Sequence, residues 1–212
     1  MSFHDLFPAT TWLWKKLRSR PARRVVSVIG ACVMAVVLVM YCRAHRAMVE
    51  ARQYVSDASH LHIGVSGSRE FARIHEKYSH YAEMDPNCNP AECIARFKFD
   101  NGVPFGIFGA RAAYLYSSLT LSHGSITSSV IGSFCYGSSW GPFLAATEEL
   151  LPNPLTFAGP FREDRNLSSD KVEHITFELT PGASPEQRAR AYAFNVNFLG
   201  RFRACNDATD MH

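Results

Sequence analysis

The longest apolar run in the chain is residues 25–42, VVSVIGACVMAVVLVMYC, eighteen positions without a charge. A helix rising about 1.5 Å per residue would stretch this run over roughly 27 Å, close to the ~30 Å hydrocarbon core of a bilayer. The run therefore predicts a transmembrane helix. Beyond it, Ala44, Ala47, Met48, Ala51 and Val55 keep helical spacing and predict a helical stalk over 43–59. LHIGVSGS breaks that period. Ser66 or Ser68 is placed to cap a helix reaching about Tyr81, with Phe71, Ile74, Tyr78 and Tyr81 as its apolar stripe.

Alternation replaces helical spacing in the next stretch. IARFKFDNG, residues 94–102, reads as a half-buried strand ending in an Asn-Gly turn. His123-Gly124 separates two further runs, one with Leu115, Leu119 and Leu121 in one parity, the other with Ile126, Val130 and Phe134. They predict an antiparallel hairpin, 112–122 with 125–136, its water face rich in Ser and Thr. FLAATEELL, 143–151, reads as a helix, and the Pro-containing stretch to Asp170 as a long loop. KVEHITFELT, 171–180, alternates again through Val172, Ile175, Phe177 and Leu179. Ser184 as N-cap, Pro185 as first helical residue and Gln187 closing the capping box start a final helix. It is expected to run to about Cys205 along Ala191, Phe194, Phe198, Phe202 and Cys205. The fold class is α+β: an N-terminal transmembrane helix, then an antiparallel sheet domain with a C-terminal helix. The divisions are a basic tail 1–24, the membrane segment 25–42, a stalk 43–59 and the domain 60–212.

Charge gives the membrane segment a direction. Lys15, Lys16, Arg18, Arg20, Arg23 and Arg24 precede it, against one acid, Asp5; only Arg43, Arg46 and Arg52 follow closely. The excess of cations places the N-terminus in the cytoplasm and the rest outside. The segment exceeds a signal peptide's 7–15-residue core and lacks a good A-x-A site, so it reads as an uncleaved anchor in the cell membrane. Residues 43–212 hold 16 basic and 18 acidic residues with no basic stripe, which argues against nucleic-acid binding. Ser27, Ala31 and Ala35 fall four apart, a spacing that allows close helix–helix approach and a homodimer in lipid.

Four of the six cysteines, Cys88, Cys93, Cys135 and Cys205, follow the membrane segment, and an even number in an oxidising compartment suits disulfides. Cys88 and Cys93 share the turn DPNCNPAEC and are expected to pair. Cys135 and Cys205 are the pair left over.

One motif suggests catalysis. GSSWG, 137–141, fits the G-x-S-x-G turn that holds a nucleophilic serine, and Asp164, Asp170 and His174 follow in the order acid, then histidine. Against Ser139 stand the antiparallel hairpin before it, the lack of an upstream HGGG-like oxyanion loop, and His174 inside an alternating strand. The stretch reads better as a surface turn over Trp140. His60 and His62, with His75 or His80, lack the acidic companions of a complete metal set. Asn166-Leu167-Ser168 is a glycosylation sequon, relevant only on a eukaryotic secretory route. No metal and no cofactor is expected.

The C-N-P-A-E-C turn running into FKFDNG, and the final AYAFNVNFLGRFRACNDA, resemble single-pass envelope proteins of acidobacterial type over most of residues 60–210. The resemblance implies a bacterial envelope location and carries no activity with it. The expected function is a membrane-anchored extracytoplasmic domain that binds or assembles. A tethered serine hydrolase using Ser139 with His174, and an oligomeric envelope scaffold, are the alternatives.

Overall fold

The computed structural model describes residues 20–102, 113–135, 142–150, 159–168, 171–200 and 207–212. The chain divides into two compact units between Cys42 and Arg43. Helix α1, Arg20–Ser59, contributes to both.

In the first unit α1 is long and apolar enough to cross a membrane. Every residue from Val25 to Val39 is exposed there, with Met34 at 69% and Leu38 at 62%. Ser27, Ala31 and Ala35 lie on this exposed stretch.

In the second unit the same helix is a core element. Ala44, Ala47, Ala51, Tyr54, Val55 and Ala58 are all buried. The expected stalk over 43–59 is therefore corrected, and the domain begins at Arg43. Ala51 and Ala58 are buried in the core cluster together with Tyr54, which packs among aromatic rings. Its ring lies 5.1 Å from Tyr78, 4.9 Å from Phe97 and 5.2 Å from Phe99.

Seven strands form one sheet: β1 Ala82–Met84, β2 Cys93–Asp100, β3 Ala113–Ser122, β4 Ser125–Cys135, β5 Phe143–Glu149, β6 Phe161–Ser168 and β7 Lys171–Leu179. Their order is β1-β2-β3-β4-β5-β7-β6. All neighbours are antiparallel except β5 and β7, which run parallel. Helix α2, Ser68–Lys77, and helix α3, Pro185–Ala191, complete the domain. One sheet face carries Phe97, Phe99, Leu115, Leu119, Ile131, Leu144, Ile175 and Phe177, and it shares the core with the second part of α1.

The hairpin is as read, with His123 and Gly124 both at positive φ, 52° and 76°. That is the backbone a two-residue type I′ turn requires. A bulge beside it, at Thr120/Leu121, changes the expected faces. Ile126 points inward, but beyond the bulge the buried side chains are Ser129, Ile131, Ser133 and Cys135, with the small Gly132 buried between them, so Val130 and Phe134 lie on the other face. An extra residue in one strand inverts all the parity that follows.

Three further expectations are corrected. Part of the expected long loop to Asp170 is strand β6, Phe161–Ser168, which is paired with β7. The expected helix over FLAATEELL is instead strand β5 through Phe143–Glu149; Leu144, Ala146 and Glu148 are buried in strict alternation. The final helix stops at Ala191 instead of running to Cys205. Asn195 takes over the local hydrogen bonding: its side chain donates to Asp210 O at 3.0 Å and accepts from Asn197 N at 3.3 Å. Such asparagine bonds compete with helical ones. A 3₁₀ turn, Val196–Gly200, follows, and Phe202 and Cys205 lie outside the described residues. The Ser184–Gln187 capping box is present, with Ser184 N donating to Gln187 Oε1 at 2.8 Å and Gln187 N to Ser184 Oγ at 3.3 Å.

Cys88 and Cys93 stand at disulfide distance, 1.99 Å between sulfurs. Their loop is also held by Asn89 Oδ1, which accepts from Ala91 N and Glu92 N at 2.9 Å each. Replacing both cysteines by serine should cost about 2 kcal/mol, the loop-closure entropy of so short a ring. Urea unfolding of wild type and of the double variant, both without reductant, measures that loss; reductant should lower the stability of the double variant by less than that of wild type, since only the bond at Cys135 is left to break. Cys135 is disulfide-bonded as well. Cys205, the partner expected from sequence, lies outside the described residues. Cys32 and Cys42 are free.

Candidate functional site

Helix α2 forms because SREFARIHEK places Phe71 and Ile74 on its inner side, while Glu70 reaches back to accept from Gly67 N at 3.0 Å. The N-cap is thus Gly67, not Ser66 or Ser68. Arg69, Ala72 and Glu76 occupy another face at helical spacing, all exposed.

That face forms one wall of a cleft of about 590 Å³, within the usual size range of small-ligand sites. The Cys88–Cys93 loop forms the opposite wall. Met84, Phe71 and Leu121 contribute apolar surface between them. Met84 is 40% exposed. Among the described residues, neither Arg69 nor Glu76 has an ion-pair partner. The cleft sits at the Cys93 end of β2. Arg43, where the chain joins this unit, lies against Gly102 beyond the other end.

A second polar group is internal. Glu148 is fully buried on β5 and pairs with Nη2 of Arg188 on α3. The Tyr192 hydroxyl donates to its other oxygen at 3.1 Å. Arg188 Nη1 also donates to Leu61 O at 3.3 Å. Ser129 Oγ, opposite Glu148 in register, lies near the Tyr192 hydroxyl without a well-formed hydrogen bond. Burial pushes the Glu148 carboxyl above its ordinary 4.5, against the opposing pull of Arg188 and Tyr192. Burial and the Glu148 charge likewise raise the Tyr192 phenol. With no access to solvent for Glu148, this group ties elements together and does not offer a reacting site.

His174 falls in a third arrangement, on the sheet face turned away from the core. Tyr114, Phe134, Phe143 and His174 face one another across four strands. Ring separations are 5.1, 5.8 and 4.3 Å. Tyr114, Phe134 and Phe143 are stacked on each other, so those ring faces are spent on neighbouring strands. This is cross-strand stabilisation.

Ser139 lies outside the described residues, as does Asp170, so no described contact joins the proposed triad. Asp164 is exposed and paired with Arg162 at 3.3 Å. His60 Nδ1 is 2.6 Å from Ser56 O. Among the described residues no group of three or more His, Cys, Asp or Glu is placed to hold a metal ion.

Arg69, Glu76 and Met84 carried no motif, so the cleft was not readable in advance. Glu148 could have been found: it is the third inward position of an alternating run, had that run been taken as a strand. The chain matches no family model, and neither the curated proteins nor the solved structures compared with it give a match.

Proposed function

We propose that this protein is a single-pass cell-membrane protein, N-terminus cytoplasmic, whose extracytoplasmic α+β domain has a binding role. The observation that carries the reading is the unbroken exposure of the apolar stretch Val25–Val39. A monomer in water rarely leaves so large a contiguous apolar surface uncovered. Lipid is the solvent that suits a helix whose backbone bonds are satisfied internally. Six cations before the stretch against three after it support the orientation, and the Cys88–Cys93 pair supports an oxidising compartment. The acidobacterial resemblance favours a bacterial envelope. Ser27, Ala31 and Ala35 would let the membrane helix self-associate, and Cys205 is the proposed partner of Cys135.

The full-length chain is expected to stay in the membrane pellet through alkaline carbonate and to be released by detergent. A chain beginning at Arg43 should be water-soluble and folded. Recovery of the full-length protein from the aqueous fraction contradicts the anchor.

A further inference from the structure

We infer that the cleft between α2 and the Cys88–Cys93 loop binds a short extended peptide, its free carboxylate toward Arg69 and its free amino end toward Glu76. The inference rests on the binding role proposed above and supplies its ligand class. Arg69 and Glu76 are seven residues apart on one helix, so their backbone positions differ by about 10 Å along the axis. An extended chain covers roughly 3.3–3.6 Å per residue, so a tripeptide spans a similar length. The two charges have opposite sign and, among the described residues, no ion-pair partner. Their polarity also agrees with the helix: a carboxylate is favoured near the N-terminal turn, where Arg69 sits, and an ammonium near the C-terminal turn, where Glu76 sits. Between them the lining is mixed: Ala72 and the exposed Met84 offer apolar surface to a central side chain over the buried Phe71 and Leu121, and His75 and Asn89 add polar groups.

The volume of about 590 Å³ is sufficient for a ligand of this class. The disulfide wall and the Asn89 hydrogen bonds hold the opposite side in place, so little ordering is left to be done on binding.

Titration of the full-length protein in detergent micelles with the tripeptide Ala-Leu-Ala, free at both ends, tests this. Saturable binding is expected. Acetylating the amino end or amidating the carboxylate should each weaken it about tenfold, the loss of one charge-assisted contact. Arg69→Gln should weaken the free peptide about tenfold and abolish the effect of amidation while keeping that of acetylation. Glu76→Gln should do the reverse. Both substitutions sit on exposed helix positions, so the fold is not at stake. The absence of saturable binding at millimolar peptide overturns the proposal, and so does binding that neither substitution changes. Either failure removes the peptide and leaves the membrane anchor, tested by carbonate extraction, untouched.

Discussion

Glu148→Ala is expected to lower the unfolding free energy by about 3–5 kcal/mol, the usual cost of removing one partner from a buried ion pair. The carboxylate is fully buried and the Arg188 side chain is only 14% exposed. Alanine would strand that guanidinium and leave the Tyr192 hydroxyl without its acceptor. The loss should also loosen three segments together, because Arg188 joins α3 to β5 and to the carbonyl of Leu61. The pair of changes Glu148→Leu with Arg188→Met should recover most of the loss, since well-packed apolar residues commonly replace a buried pair without cost. If Glu148→Ala loses less than about 1 kcal/mol by urea unfolding, Glu148 is not the tie described.

The same residue sets a pH signature. Burial first, opposed by Arg188 and Tyr192, holds its folded pKa above the ordinary 4.5. Its contribution is therefore fully present below 4.5 and is lost as pH rises through the folded value. Wild type should lose stability relative to Glu148→Gln across that window. Asp57, Asp207, Glu70 and Glu186 are shifted downward and act in the opposite sense. They are common to both proteins and cancel in the comparison.

Tyr54→Ala should cost a comparable 3–5 kcal/mol, roughly the value for deleting a large buried aromatic ring. Tyr54 is fully buried on the packed part of α1. Three aromatic rings surround it within 5.2 Å. Tyr54→Phe should cost only about 1 kcal/mol. The Tyr54 hydroxyl lies 2.7 Å from Ser117 Oγ, and that serine keeps its own bond to Val130 O, also 2.7 Å, when the phenol is gone. A stalk residue would show neither effect; exposed substitutions usually stay within about 0.5 kcal/mol. Thermal unfolding of the two variants separates the readings.

Local rules predicted the elements that depend on local chemistry. The long apolar helix, β2, the hairpin, β7 and the Ser184 capping box all follow from runs of residues next to one another. Elements set by distant neighbours did not. β6, FREDRNLS, is an edge strand with little buried on either side, so its charges left no alternation to find. Those charges suit an edge: Glu163 pairs with Arg165 and Arg190 at 2.6 Å, and charged edges resist pairing with other chains. The parallel pairing of β5 with β7 across an intervening excursion has no sequence mark at all. β5 was hidden because FLAATEELL suits a helix by propensity, and the sheet overrode it. The cleft was illegible for a related reason. Its walls come from α2 and a loop that meet only once β1, β2 and β3 are assembled.

The central claim is that lipid holds residues 25–42 and that the domain after them lies outside the cytoplasm. Labelling of one introduced free cysteine at a time with a membrane-impermeant maleimide, on intact cells with a permeabilised outer envelope and the native disulfides left in place, tests it most directly. The probe is Leu167→Cys, at a position 67% exposed, in a background with Cys32→Ser and Cys42→Ser; Ser2→Cys serves as the opposite-side control. Labelling is expected at 167 without lysis and at 2 only after it. Labelling at 2 in intact cells, with 167 protected until lysis, would contradict it.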